Sequence, residues 1–321
     1  MSLFLVTGGA GFIGSNIVEE LLKRGERVRV LDNLSTGKRD NLAFVQGLQR
    51  PSASYEFMEG DIRHLDTCRR ACHGIDYVLH QAALCSVPRS INDPLASNEV
   101  NVCGTLTVLM AAREAGVKRV VHASSSSVYG NSEVLPKAES QVPSPVSPYA
   151  VSKLAGECYC QVFTKVFDLE TVILRYFNVF GPRQDPSSQY AAVVPRFIQR
   201  ALDGKPLEIH GDGLQSRDFT YVSNVVDANL KAAEAPDASG HVINIACGQT
   251  SSVLQIADAI ASTLGKKLEY HHTPARTGDV RDSLADISKA QQLLGYQAHV
   301  GVLDGLRNTV TCFQNLRARG G

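Results

Sequence analysis

A run of glycines near the N-terminus constrains the fold of this 321-residue chain more than any other feature. An apolar run precedes the sequence GGAGFIG at residues 8–14, and a helix-period stretch, Ser15–Arg24, follows it. In such a strand–turn–helix unit Gly8 permits the tight turn, Gly11 lets the backbone approach a pyrophosphate, and Gly14 lets the helix pack closely on the strand. The helix N-terminus adds unpaired N–H groups and the positive end of its dipole. The motif, whose first interval is one residue wider than G-x-G-x-x-G, therefore predicts a dinucleotide cradle.

The first half of the chain alternates strand-like and helix-like segments. Apolar, β-branched runs occur at Leu3–Val6, Val28–Leu31, Tyr77–Leu79, Arg119–His122 and Thr171–Leu174. Helix periods lie between them, at Ser15–Arg24, Val100–Glu114 and Tyr149–Phe167. Such alternation predicts a Rossmann-type, doubly wound parallel sheet of the α/β class. Gly25 and Gly116 stand where helix C-caps are expected, and Ser147-Pro148 supplies the N-cap and first-turn proline of the third helix.

The regular alternation of strand-like and helix-like segments ends after Tyr176, where the loop-rich sequence FNVFGPRQDPSSQ begins. Beyond it we expect one further strand and five helices, at His241–Ala246, Val193–Leu202, Val225–Ala235, Val253–Leu264, Ile287–Leu294 and Val302–Asn315. These shorter elements predict a smaller, mixed α/β C-terminal domain. We assign residues 1–177 plus about 217–250 to a nucleotide-binding domain, and 178–216 and 251–321 to a substrate domain.

Composition excludes several classes of protein. The 32 Lys and Arg residues balance 32 Asp and Glu, so the chain lacks the electrostatic footprint of a nucleic-acid binder. Hydrophobic residues make up 44%, which excludes wholesale disorder. No run of 18 apolar residues is present, and no basic segment precedes the first apolar run. We therefore expect no membrane span, and a first strand in place of a secretory signal.

The eight cysteines are scattered and do not resemble a disulfide framework. His64, Cys68 and Cys72 are spaced four apart and could line one helix face as metal ligands. No second Cys/His pair has zinc-site spacing, so we expect no metal and interpret the cysteines as reduced thiols of a cytoplasmic protein.

Asp32 ends the second predicted strand, 18 residues after Gly14. An acid at this position accepts hydrogen bonds from the adenosine ribose and disfavours a 2′-phosphate, which favours NAD over NADP. Four basic residues nearby could weaken that preference or simply form a solvated surface: Arg27, Arg29, Lys38 and Arg39. No G-x-x-x-x-G-K-[ST] sequence occurs, so a P-loop NTPase is excluded.

Tyr149 and Lys153 are four residues apart and share one face of a predicted helix. A phenol is a poor base at neutral pH, but a nearby ammonium and a cationic nicotinamide ring would stabilise its phenolate for general acid–base work. The sequence SSSS at residues 124–127 follows a predicted parallel strand, where ligands bind in open α/β sheets. One of these hydroxyls would bond a substrate oxygen, and others would serve as turn or cap residues. The chain lacks the G-x-S-x-G elbow of a serine nucleophile.

These motifs, in this order and spacing, resemble those of the extended short-chain dehydrogenase/reductase family over essentially the whole chain. The similarity is greatest to nucleotide-sugar 4-epimerases, above all the bacterial UDP-N-acetylglucosamine 4-epimerases. It rests on the stretches HQAALCSVPRSINDP, SPYAVSK, RYFNVFGPRQDP, YAAVVP, GDGLQSRDFTYV and GDVRDSLAD. The resemblance implies a homodimer and tightly held NAD.

The resemblance also implies roles for individual residues. Tyr149 would be the base, Lys153 its partner on the nicotinamide ribose, and Ser125 the catalytic hydroxyl, with Ser126 sharing its task. Residues implied to bind NAD are Gly8, Gly11, Phe12, Ile13, Gly14, Asp32, Asn33, Ser35, Thr36, Gly37, Asp61, Ile62, Gln81, Ala82, Ala83, Tyr149, Lys153, Tyr176 and Phe177. Residues implied to bind a UDP-sugar are Ser125, Ser126, Tyr149, Asn178, Ala192, Val193, Glu208, Ile209, His210, Arg217, Arg276, Asp279 and Ser283.

Within that set, Asn178, Arg217 and Arg276 would hold the diphosphate, whereas Ala192, Val193, Glu208, Ile209 and His210 would line the uridine pocket. Asp279 would bind the uridine ribose. A small residue at Ser283 would admit a 2-acetamido group, which a tyrosine would exclude. The implied reaction is oxidation of a UDP-hexose at C4, rotation of the 4-keto sugar and re-reduction from the opposite face, which interconverts UDP-N-acetylglucosamine and UDP-N-acetylgalactosamine. UDP-glucose as main substrate, a nucleotide-sugar dehydratase and a non-catalytic NAD-binding protein are the alternatives.

Overall fold

The computed structural model describes residues 1–48, 55–186, 192–274 and 281–320. Its strands are β1 (Leu3–Thr7), β2 (Arg27–Asp32), β3 (Tyr55–Glu59), β4 (Tyr77–His80), β5 (Arg119–Ser125), β6 (Glu170–Tyr176), β7 (Val179–Phe180), β8 (Leu207–His210), β9 (Ser216–Arg217), β10 (Thr220–Tyr221), β11 (Val242–Ile245), β12 (Ser251–Ser252), β13 (Tyr270–Thr273) and β14 (Asp282–Ser283). Its α-helices are α1 (Phe12–Lys23), α2 (Leu65–Cys72), α3 (Val87–Asn92), α4 (Pro94–Asn98), α5 (Gly104–Glu114), α6 (Pro148–Val166), α7 (Val193–Leu202), α8 (Val222–Glu234), α9 (Val253–Leu264), α10 (Ser288–Leu294) and α11 (Val302–Gly320).

Seven strands form one parallel sheet in the order β11-β6-β5-β4-β1-β2-β3. The strand order reverses beside β1, which pairs with both β2 and β4. A crevice forms at such a switch point, outside the carboxyl ends of the strands. The predicted Rossmann-type sheet is confirmed. The five strands predicted in the first half of the chain are present, and the predicted strand His241–Ala246 joins them as β11. β3 was not predicted, because two glutamates interrupt its apolar residues at the edge of the sheet.

Helices cover both faces of this sheet. Ile17 of α1 and Val225 of α8 pack in the core on one face. On the other face the core includes Leu109 of α5, Cys160 of α6, and the two cysteines of α2. Those two, Cys68 and Cys72, are almost fully buried among apolar side chains, and burial raises the pKa of each thiol to about 12. Among the described residues no group of three or more His, Cys, Asp or Glu could hold a metal ion.

The helix that carries the predicted catalytic pair begins where expected. Ser147 caps α6 by accepting a hydrogen bond from the Ala150 N–H, and Pro148 is its first residue. The predicted helix Val100–Glu114 is not one continuous α-helix. Its first residues belong to a π-helical turn, Glu99–Cys103, which joins α4 to α5, and the rest form α5. Its C-terminal signal is confirmed: Gly116 adopts a positive φ of 66° just beyond α5.

A second, smaller core lies among α7, α9 and α11. Phe197, Ile209, Ile256 and Leu306 are fully or almost fully buried there. Between these elements the chain returns to the main sheet through α8 and β11. In the described part of the chain we find no helix both long and apolar enough for a membrane span.

Candidate active site

A large cavity follows the carboxyl edge of the main sheet. Its volume is about 1840 Å³, which exceeds the roughly 300–1,000 Å³ typical of a pocket for one drug-sized ligand. Residues at or just beyond the ends of β1, β2, β4 and β5 line it, and these include Gly8, Asn33, Gln81 and Ser126. The cavity therefore has room for two ligands side by side.

The glycine turn at one end of the cavity has the geometry that a diphosphate needs. Gly8 has a φ of +67°, and a Cβ there would lie 2.7 Å from the Ala82 nitrogen. A Cβ on Gly14 would lie 2.2 Å from the Gly8 carbonyl oxygen, so only glycine lets α1 pack this closely. A Cβ on Gly11 would approach only that same oxygen, at 3.1 Å, and would otherwise be unobstructed.

The first turn of α1 carries no acidic residue, and no side chain caps it. Its N–H groups and the positive end of its dipole are therefore available to an anion. Together with the glycine turn, this arrangement fits the pyrophosphate of NAD.

Asp32 lies next to this turn. Its carboxylate accepts hydrogen bonds from the N–H groups of Ala10 (2.9 Å) and Leu34 (2.8 Å). Burial raises the pKa of Asp32, and these two bonds act against that rise. The carboxylate thus links the glycine turn to the loop after β2. Each of its oxygens can accept a further hydrogen bond, as a ribose hydroxyl would require.

Tyr149 and Lys153 lie side by side on α6, with the Lys153 Nζ 6.0 Å from the centre of the Tyr149 ring. Lys153 is 4% exposed and donates to the Ala123 carbonyl oxygen at 2.8 Å. Burial raises the pKa of Tyr149 well above its usual value, and a hydrogen bond with the Ser125 side chain opposes the rise. Burial lowers the pKa of Lys153. A buried ammonium beside a phenol hydrogen-bonded to a serine is an arrangement suited to proton transfer.

The four serines after β5 divide their roles. Ser125 caps a short 3₁₀ helix, Ser126–Tyr129, by accepting a hydrogen bond from the Ser127 N–H. The Ser124 hydroxyl donates to Glu157 at 2.5 Å. Ser125 and Ser126 both line the cavity beside Tyr149. The hydroxyl that touches Tyr149 is thus also a cap residue.

The structure brings most of the predicted site residues into one cavity. Those that line it are Gly8, Gly11, Phe12, Ile13, Gly14, Asp32, Asn33, Ser35, Thr36, Gly37, Asp61, Ile62, Gln81, Ala82, Ala83, Ser125, Ser126, Tyr149, Lys153, Tyr176, Asn178, Ala192, Arg217 and Ser283. Arg276 and Asp279 lie outside the described residues.

Five predicted residues are not part of the cavity wall formed by the described residues: Phe177, Val193, Glu208, Ile209 and His210. Phe177 is fully buried, with its ring centre 6.1 Å from that of Tyr129. Ile209 is fully buried in the smaller core. Successive side chains of β8 point to opposite faces of the strand. Glu208, next to Ile209, forms an ion pair with Arg200 at 3.2 Å. Val193 packs against the same core, and the His210 ring bonds the Thr273 hydroxyl.

Two features of the cavity were not predicted from the sequence. Cys85 lies in the loop after β4, lines the cavity and contributes to the raised pKa of Tyr149. Lys38 and Asp185 form an ion pair of 2.8 Å between two segments of the wall. The position of Cys85 just after a parallel strand is a signal that could have identified it; the ion pair joins residues far apart in sequence and left no such signal.

The contacts of Asp32 generate a prediction about cofactor binding. Replacement of Asp32 by alanine removes an acceptor from two N–H groups and a charged partner from the ribose, and hydrogen bonds to charged groups contribute about 1.5–3 kcal/mol. We expect NAD affinity to fall by about 10- to 100-fold, as measured by calorimetric titration of apoprotein. The control is Asp66→Ala, whose side chain is 92% exposed. Equal affinities of the two variants would contradict the assignment.

Comparisons with known proteins agree with this geometry. Residues 4–246 match the model of the NAD dependent epimerase/dehydratase family. A protein of Mycolicibacterium smegmatis named UDP-glucose 4-epimerase is 40% identical over 97% of this chain and 98% of its own. The structure of a UDP-N-acetylglucosamine 4-epimerase from Methanobrevibacter ruminantium, in complex with UDP-N-acetylmuramic acid, superposes with a TM-score of 0.92 at 38% identity, covering 98% of this chain and 99% of the other.

A UDP-glucose 4-epimerase of Thermus thermophilus, solved in complex with NAD, gives a TM-score of 0.87 at 38% identity and covers 97% of this chain and 99% of its own. A family match over three quarters of the sequence, full-length relatives and the glycine cradle lead to one assignment. This chain belongs to the NAD dependent epimerase/dehydratase family.

Proposed function

We propose that this nucleotide-sugar 4-epimerase acts on UDP-N-acetylhexosamines, interconverting UDP-N-acetylglucosamine and UDP-N-acetylgalactosamine, and also accepts the non-acetylated UDP-hexoses. The observation that supports this substrate is the place of Ser283 in the cavity wall, together with Tyr149 and Arg217. The serine side chain is small and partly exposed, which leaves space that a bulky side chain would fill.

Bound in the cradle formed by the glycine turn and Asp32, NAD would accept the C4 hydride and later donate it back. Tyr149 removes the proton from the sugar 4-hydroxyl and donates it back after the keto sugar has turned. Ser125 bonds the same phenol and the substrate oxygen, and Lys153 provides positive charge beside the phenolate. The hydride thus leaves and returns at C4 and the proton at the oxygen that C4 carries, so that only the configuration of C4 changes.

Rotation of the sugar requires that the nucleotide stays bound. Arg217 and Asn178 line the cavity, and we assign both to the diphosphate. The Arg217 guanidinium donates to the carbonyl oxygens of Ser216 and Arg281, which fixes its position. Guanidinium groups bind phosphate oxygens with defined geometry.

Replacement of Tyr149 by phenylalanine tests the catalytic assignment. The variant lacks only the hydroxyl, and general acid–base catalysis contributes about 100- to 10,000-fold. We expect turnover of UDP-N-acetylglucosamine, followed by proton NMR of the anomeric signal, to fall within that range while bound NAD is retained. Tyr270→Phe, which removes a hydroxyl outside the cavity, is the matched control. Full activity in the Tyr149 variant would refute the proposed base.

The Ser283→Tyr variant tests the substrate. The added ring occupies the space that we assign to the acetamido group, and overpacking costs about 1–3 kcal/mol. We expect kcat/KM for UDP-N-acetylglucosamine to fall by about tenfold or more and that for UDP-glucose to change little. Parallel assays with both sugars measure the ratio, and an equal loss for both would exclude Ser283 as the determinant.

UDP-glucose as main substrate is the principal alternative, because the Mycolicibacterium smegmatis relative carries that name. The same pair of assays on the wild-type protein distinguishes the two substrates. A dehydratase is less well supported, since Ser126 and Ser127 stand where such enzymes carry acidic residues. A product with unchanged mass excludes loss of water.

We infer that the protein is a homodimer that pairs through α5 and α6. Apolar side chains are exposed on these helices: Met110, Val151, Tyr159, Val162 and Val166. Several large apolar side chains exposed on neighbouring helices are typical of protein interfaces. None of the eight cysteines forms a disulfide, and we propose a reducing, cytoplasmic location.

Introduction of a charge tests this interface. In Val162→Asp a carboxylate would be buried without a partner, and we expect the dimer to dissociate to monomers in light scattering. Leu303→Asp places the same charge on the exposed face of α11 and is expected to leave the mass unchanged. A wild-type protein that is monomeric at assay concentration would overturn the proposal.

A further inference from the structure

Glu157 lies on the same face of α6 as Tyr149 and Lys153, one helical turn beyond Lys153. It is 2% exposed. Such burial of a carboxylate is costly unless a partner offsets it. The neighbouring strands provide that partner.

Two strands present polar side chains to Glu157. The Arg175 guanidinium on β6 donates to both carboxylate oxygens, at 2.8 and 2.7 Å. The Ser124 hydroxyl on β5 donates at 2.5 Å. Ser124 and Arg175 are register partners in the sheet. One carboxylate of the helix therefore ties two adjacent strand ends together.

The residues that follow in the chain belong to the cavity. Ser125 comes directly after Ser124, and Tyr176 directly after Arg175, and both line the cavity. The Arg175 guanidinium also lies 4.7 Å from the centre of the Tyr129 ring, in the 3₁₀ helix that Ser125 caps. The cluster of Ser124, Tyr129, Glu157 and Arg175 thus adjoins Ser125 and Tyr176 of the cavity wall along the chain.

We propose that Glu157 and Arg175 form a positioning pair, which holds the Ser125 hydroxyl at the Tyr149 hydroxyl in the arrangement needed for proton transfer. Neither residue needs to touch substrate for this role, which rests on the proposed function of Tyr149 and Ser125. Stability alone accounts poorly for the pair, because a well-packed apolar pair of similar volume often stabilises a protein as much as a buried ion pair. The directional hydrogen bonds of Glu157 add a fixed alignment of α6 with the ends of β5 and β6. This alignment matters because a small misplacement at a reacting centre lowers the rate greatly.

The same two strands carry a matched control at their opposite ends. Arg119 of β5 and Glu170 of β6 are register partners and form an ion pair of 2.5 Å. Neither lines the cavity. The variants Glu157→Gln and Glu170→Gln therefore each remove a carboxylate that pairs with an arginine of these two strands, the first buried and the second 51% exposed.

The test measures kcat and KM for UDP-N-acetylglucosamine, with bound NAD and thermal unfolding determined for each protein. For Glu157→Gln we expect kcat to fall by about 10- to 100-fold with KM and NAD content close to wild type. Glu170→Gln is expected to keep the wild-type kcat. A purely structural role would lower the stability of Glu157→Gln without this split between kcat and KM.

The double variant Glu157→Gln/Arg175→Met keeps the proposal testable if the single variant does not fold, because the double variant leaves no unpaired buried charge. We expect it to fold, bind NAD and show the same loss of kcat. Wild-type kcat in either folded variant, a loss confined to KM, an equal loss in Glu170→Gln, or failure of both variants to fold would each overturn the positioning role. An inactive wild-type protein would instead refute the proposed function, so the two failures are distinguishable.

Discussion

The parallel direction of seven strands is the constraint on which the rest of the structure depends. Because all seven run the same way, all their carboxyl ends meet at one edge, and the loops that follow β1 to β6 line one cavity. Residues from Gly8 to Tyr176, distant in the chain, become neighbours for this reason alone. The close approach of α1 to the glycine turn, which leaves no room for a Cβ on Gly14, fixes one end of that cavity. The docking of α6 on β5 and β6 fixes its centre.

Burial sets the electrostatics of that centre. It raises the pKa of Tyr149 and lowers that of Lys153, so burial favours the neutral form of each group. Two histidines are buried near Lys153, His80 on β4 and His122 on β5. Burial lowers the pKa of His80 to about 3 and that of His122 well below its usual value. Both imidazoles are therefore neutral at physiological pH, and neither adds positive charge that would oppose protonation of Lys153.

The sequence predicted those features that depend on local pattern. Apolar runs, a capping serine and glycine spacing identify β1, β5, α1 and α6, because each signal reflects the backbone geometry of its own segment. β3 escaped detection, since glutamates at a sheet edge break the apolar run.

Side-chain direction was harder to predict. Residues after a strand alternate between cavity and core, so Phe177 turns inward although Tyr176 faces the cavity. The bonds that orient Ser125 also lie beyond sequence reasoning, because Glu157 and Arg175 meet only after two strands and a helix have packed. A local pattern can indicate that a residue is near a site, whereas tertiary packing decides whether its side chain enters it.

Backbone pairing between two short strands also connects the residue that we assign to the diphosphate with the residue that we assign to sugar selection. Ser283 of β14 and Arg217 of β9 are register partners in a three-stranded sheet that includes β12. The proposed phosphate anchor and the proposed sugar determinant are therefore held next to each other by ladder hydrogen bonds, at a separation that side-chain motion changes little. This arrangement suits the proposed reaction, in which the sugar must rotate while the nucleotide stays bound. The side chain at 283 can alter which sugar fits, while the anchor beside it keeps its own bonds to Ser216 and Arg281.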